Sequence, residues 1–201
     1  LTEKGFRVSL EEIQDAKGNI SKEELTALKL AAKRIESFHA KQKPKDLSYI
    51  DEQGVGLGLR WRALDSVGLY VPGGTASYPS SVLMNAIPAK VAGVKRCVIT
   101  VPSLNGMINP MVLAAADIAG STEVYRIGGA QAIAALAYGT ESIVPVDKIV
   151  GPGNAYVATA KKMVYGKVGI DSIAGPSEVV IVADQKNNPE WIAYDLLAQA
   201  E

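Results

Sequence analysis

With 201 residues the chain is long enough to bury a substantial core, so stability does not call for disulfides or structural metal. Lysine plus arginine equals aspartate plus glutamate at 21 each, which removes the basic excess that draws proteins to nucleic acid or anionic membranes. The single cysteine, Cys97, has no internal disulfide partner, and no stretch approaches the ~20 apolar residues of a membrane span or the pattern of a signal peptide; a reducing, cytoplasmic setting is expected.

In chain order, Ser21-Lys22-Glu23-Glu24 has capping-box spacing and predicts a helix with Leu25, Leu28, Ala32, Ile35 and Phe38 on one stripe, ending before Pro44. His39, the only histidine, falls on this helix among lysines and is assigned no catalytic role. The stretch 42–65 mixes charge with glycines at 54, 56 and 58 and reads as a connector or an edge hairpin.

From Ser66 onward, short β-branched runs alternate with alanine-rich helical segments, the pattern of a parallel sheet with crossover helices. Strands are predicted over 67–71, 95–101, 123–127, 148–150 and 178–183, and helices over 79–91, 110–119, 130–138 and 154–165. Several of these helices have proline in the first turn and glycine just past the end. Cys97 opens the apolar run 97–101 and reads as a buried thiol. A last helix starts at Asn188-Pro189 and is still running at Glu201, so that end, like the start at Leu1, reads as a cut through a longer protein. The expected organisation is an N-terminal helical segment and connector over 1–65, then an α/β domain over 66–201.

Ligands of open parallel sheets sit beyond the carboxyl ends of the strands. Three such ends carry glycine loops that enter helices: Val71-Pro72-Gly73-Gly74-Thr75, Gly128-Gly129-Ala130-Gln131 and Gly151-Pro152-Gly153-Asn154. Free N–H groups and the positive end of the helix dipole suit a phosphate or carboxylate there. The dinucleotide fingerprint G-x-G-x-x-G is absent, so spacing alone supports an anion or nucleotide site, or simply tight turns. Tyr70 either stacks on a ligand ring or belongs to the core; Gln131 either bonds a ligand through its amide or faces solvent; Asn154 either contacts a ligand or caps its helix. Ser177 has no partnered histidine and suits a substrate hydrogen bond better than nucleophilic attack, while Asp171 and Glu178 are either acid-base groups or solvated carboxylates. One histidine and one buried cysteine do not build a zinc site.

Taken together, Val67-Gly68-Leu69-Tyr70-Val71-Pro72-Gly73-Gly74, Gly128-Gly129-Ala130-Gln131-Ala132, Val146-Asp147-Lys148-Ile149-Val150-Gly151-Pro152-Gly153-Asn154, Ala174-Gly175-Pro176-Ser177-Glu178-Val179 and Gln199-Ala200-Glu201 resemble the histidinol dehydrogenase family, in order and without interruption from about Gly54 onward. The resemblance implies an α/β fold with an incomplete Rossmann-like unit related to aldehyde dehydrogenases. It also implies NAD-dependent oxidation of L-histidinol to L-histidine through the aldehyde, with zinc, in a homodimer.

Carried over by position, it implies that Tyr70, Gln131 and Asn154 contact NAD, that Ser177 contacts the substrate, and that Gln199 touches the substrate and ligates zinc. The family's other zinc ligands and its glutamate-histidine acid-base pair would lie past Glu201, so the chain by itself is expected not to turn over histidinol. Arg60-Trp61-Arg62-Ala63-Leu64 departs from the family in carrying alanine where proline is common, a change expected to affect loop stiffness rather than chemistry.

Overall fold

The computed structural model describes residues 3–73, 77–103, 105–121, 123–173 and 178–197. It opens with two short helices, α1 (Glu3–Phe6) and α2 (Leu10–Asp15), and a 3-10 turn at Ala16–Asn19. The 21-residue helix α3 (Lys22–Gln42) follows, and its capping box forms as the sequence predicts: Ser21 Oγ accepts the Glu24 N–H and the Glu24 carboxylate accepts the Ser21 N–H. Leu28, Ala32 and Ile35 of the expected stripe face inward, but Phe38 is 61% exposed and makes only an edge contact with His39. The helix outlasts the layer it packs on, so its last apolar position has nothing to cover it.

The connector contains an antiparallel hairpin, β1 (Leu47–Ile50) and β2 (Gly56–Leu59). Asp51 shapes its turn by accepting the N–H groups of Gln53 and Val55 on one carboxylate oxygen. Beyond it comes the sheet: β3 (Ser66–Tyr70), α4 (Pro79–Ala92), β4 (Arg96–Thr100), α5 (Pro110–Ala119), β5 (Glu123–Tyr125), α6 (Gly129–Tyr138), β6 (Lys148–Val150), α7 (Ala155–Val164) and β7 (Gly169–Ile170), with α8 (Pro189–Leu197) last. The five strands are all parallel in the order β5-β4-β3-β6-β7.

This order is a direct result of where the helices go. The chain winds outward from β3 through α4 and α5, then returns to the other side of β3 and winds through α6 and α7. Val67, Leu69 and Ile99 face α4 and α5, where α2 and α3 add a further layer; Tyr70, Val98 and Ile149 face α6 and α7. Pleating thus gives each strand one apolar set per face, which is why the strands read as continuous rather than alternating apolar runs.

Residues preceding α2 also lie along the sheet, with Val8 N–H on Val124 O and Arg126 N–H on Phe6 O. Arg126 is buried and ties this segment down through Gly5 O, Gly106 O and the Glu12 carboxylate.

The strand expected over 178–183 is a correction. Among the described residues this segment pairs with no strand, and Val180 and Val182 are 87% and 94% exposed. The fifth sheet strand is instead β7, whose two residues offer only a short edge to any further partner. A β-branched apolar run becomes a strand only when a ladder and a covering layer are present. Cys97 lies in β4 as expected, only partly buried, and that burial pushes its thiol up to about 11.

Candidate functional site

The winding reverses between β3 and β6, and the carboxyl ends of these neighbours are where an open α/β sheet forms its crevice. A groove of about 490 Å³ opens there, lined by Tyr70, Pro72, Gly73, Tyr78, Pro152 and Asn154. It joins the end of β3, the start of α4 and the entry to α7.

Tyr70 is 4% exposed, with its ring packed on the α6 and α7 side of the sheet. Its hydroxyl accepts the Gly129 N–H at 3.1 Å, which satisfies a donor at the start of α6 and leaves the phenol proton to be donated elsewhere. Gln131 is exposed, in the first turn of α6, and its amide oxygen lies 2.7 Å from where a Cβ on Gly129 would stand. Tyr70 and Gln131 therefore meet around one glycine. Asn154 caps α7 by accepting the Val157 N–H at 3.1 Å, and it also lines the groove.

Some of the glycines are explained by packing. Gly128 admits no Cβ because Pro102, just past β4, lies against it, and a Cβ on Gly73 would meet Pro102 O at 2.9 Å. The loop after β4, which carries no sequence motif, thus supports two of the glycine loops. Gly151 has φ +111, and a Cβ there would overlap Tyr70 O.

Asp171 is held, not free for proton transfer. Burial raises its pKa, but hydrogen bonds from Lys161, Gly151 N–H and Ser172 N–H outweigh that and hold it below the ordinary aspartate value. Lys161 is 3% exposed and also donates to Gly151 O at 3.0 Å. Sequence reading missed this lysine, although Val157, Lys161 and Val164 form an i, i+4, i+7 stripe that is buried throughout. A charge on an otherwise apolar stripe was the signal.

Glu178 is exposed. Ser177 and Gln199 lie outside the described residues. Among the described residues no group of three His, Cys, Asp or Glu side chains could hold a metal ion, so no zinc site can be assembled from them. A second depression, about 420 Å³, lies between the end of α3 and the end of α4, lined by His39, Trp61, Arg62 and Pro88; none of the strands of the five-stranded sheet lines it.

The sequence model of the histidinol dehydrogenase family matches residues 1–201. The chain is similar to the histidinol dehydrogenase of Agrobacterium fabrum, 66% identical over 200 residues, which cover 100% of this chain and 46% of that protein. It is 68% identical over 189 residues to histidinol dehydrogenase 1 of a Nostoc species, covering 94% of this chain and 44% of the relative. Among solved structures, the crystal structure of histidinol dehydrogenase from Elizabethkingia anophelis superposes with a TM-score of 0.94 at 44% identity, over 100% of this chain and 46% of that one. The chain thus spans about half the length of the relatives it matches.

Proposed function

The chain belongs to the histidinol dehydrogenase family, and on that premise we propose that it forms the cofactor-holding part of an enzyme that oxidises L-histidinol to L-histidine through the aldehyde. The observation that carries the cofactor reading is the groove between the ends of β3 and β6, where Tyr70 and Asn154 line one cavity and Gln131 lies across the Gly129 that Tyr70 binds. NAD, when bound, accepts the hydride at each of the two oxidation steps.

The residues of this chain bind and orient. In this reading Tyr70 donates its free phenol proton to the cofactor, Gln131 offers an exposed amide with both donor and acceptor, and Asn154 holds the start of α7 so that its remaining N–H groups face a phosphate. Pro72, Pro152 and Tyr70 supply apolar lining to the groove, which would help exclude water from a cofactor held there. The whole groove lies within the proposed α/β unit of 66–201, with 1–65 as a supporting segment.

Ser177 as a substrate contact and Gln199 as a substrate contact and zinc ligand rest on the family relationship alone. The described residues do not fit zinc, and no step of this reading passes through it. A homodimer in the cytoplasm, with a small-molecule substrate and neither nucleic acid nor membrane as partner, completes the proposal; the first three rest on the family relationship, and the even balance of charge gives no basic excess for nucleic acid.

Calorimetric titration of the native protein containing this chain with NAD tests the cofactor site. Saturable binding that Asn154→Asp weakens supports it, because aspartate preserves the helix cap while placing a negative charge beside the expected phosphate. No measurable heat with NAD contradicts it.

A further inference from the structure

Gly151 is held at both of its backbone polar atoms. Its N–H donates to one Asp171 carboxylate oxygen at 2.9 Å, its carbonyl accepts from the Lys161 ammonium at 3.0 Å, and Lys161 closes the ring by pairing with the other Asp171 oxygen. Lys161 comes from α7, Gly151 from the end of β6, and Asp171 from just past β7, so three consecutive elements of the sheet edge converge on one residue and the two peptide groups that flank its Cα.

Two features show that stability alone does not account for this arrangement. The lysine occupies a position flanked by fully buried Val157 and Val164, where an apolar side chain would fill the stripe without the desolvation cost of an ammonium group. The residue it grips is also the one whose φ of +111 lets the backbone lie against Tyr70 O. Rotation about the φ and ψ of Gly151 would carry Pro152, Gly153 and Asn154 away from Tyr70, and these residues form one wall of the groove.

We infer that Lys161 and Asp171 are positioning residues for the cofactor: a clamp, buried at Lys161 and half-exposed at Asp171, on the two peptide groups flanking the Gly151 Cα that fixes the Pro152–Asn154 wall of the groove against Tyr70. The inference rests on the NAD reading of that groove. With its N–H engaged, Gly151 has no free donor for a ligand, and Pro152 has no N–H, so the N–H donors of this loop come from Gly153 onward. The clamp acts before binding, by removing alternative loop conformations that the ligand would otherwise have to select against.

The test uses the native protein containing this chain, with Lys161→Met and Asp171→Asn. The Asp171→Asn variant retains an acceptor for the Gly151 N–H but loses the ion pair, and it serves as the readable variant if Lys161→Met prevents folding. NAD dissociation constants are measured well below each variant's melting temperature, beside those for histidinol.

The clamp predicts that NAD binding weakens by about tenfold or more in either folded variant while histidinol binding stays within about twofold, since only the preorganised wall is released. A structural role alone would lower the melting temperature and leave NAD affinity of the folded protein unchanged, and that result overturns the proposal. If wild-type protein binds no NAD, the reading of the groove fails and the clamp's purpose with it; wild-type binding that persists unchanged in both variants sinks the clamp alone.

Discussion

Tyr70 and Gly129, 59 residues apart in sequence, are joined by a hydrogen bond of 3.1 Å from the glycine N–H to the phenol oxygen. The bond links the end of β3 to the start of α6 and makes Tyr70 both a core residue and a groove residue. Replacing Tyr70 with Phe keeps the ring but strands the Gly129 N–H, at an expected cost of about 1–3 kcal/mol. Urea denaturation reads this loss, and NAD affinity should fall as well because the donated phenol proton is gone. A variant with unchanged stability would show that the bond is replaced by water.

Gln131 separates binding from folding more cleanly. It is exposed and supports no other element, so Gln131→Ala should change stability by less than about 0.5 kcal/mol. The same variant should raise KM for NAD by roughly tenfold, the value of a lost hydrogen bond to a ligand. Steady-state kinetics with NAD varied at saturating histidinol checks it.

Gly151 is the position least tolerant of a side chain. Its positive φ and its contact with Tyr70 O oppose a Cβ together, so Gly151→Ala should cost about 3 kcal/mol or more and abolish NAD binding even where the protein remains folded. Thermal melting with and without NAD measures both effects.

Cys97 gives a dependence on alkaline pH. Burial holds its thiol neutral, raising the pKa from 9.0 to about 11, so the folded state resists ionisation that the unfolded state accepts. The thiol's contribution to stability is therefore complete below pH 9 and is lost as pH climbs toward 11, by up to about 2–3 kcal/mol. Comparing urea midpoints of wild type and Cys97→Ala across this range isolates the effect: the wild type should decline more steeply. Below pH 8 the same thiol should react slowly with disulfide reagents.

The sheet was legible in the sequence wherever local chemistry and tertiary packing agree. Pro110 at the first turn of α5 and Gly120 just past its end, in the left-handed conformation, bound a helix found over the expected residues, and Lys148–Val150 is likewise a strand as expected. The run 178–183 has the same continuous β-branched apolar character as the sheet strands, but a strand depends on a partner edge that sequence does not display.

The location of Tyr70 and Asn154 at strand ends was legible, and so was their alternative use in the core and as a helix cap; the structure shows each residue serving that structural use while also lining the groove. Lys161 was not found, because a lysine is ordinarily read as solvated and its two partners, Gly151 and Asp171, are both 10 residues away on other elements. Only the burial of its helical neighbours distinguishes it.

The most direct measurement is histidinol-dependent reduction of NAD by the native protein containing this chain, followed by absorbance with wild type and Gln131→Ala in parallel. The reading of the groove as the cofactor site predicts about two equivalents of NADH per histidinol consumed, with the variant impaired in KM for NAD but not in stability. NAD that is neither bound nor reduced in the presence of histidinol, or a variant with unaltered NAD kinetics, would contradict it.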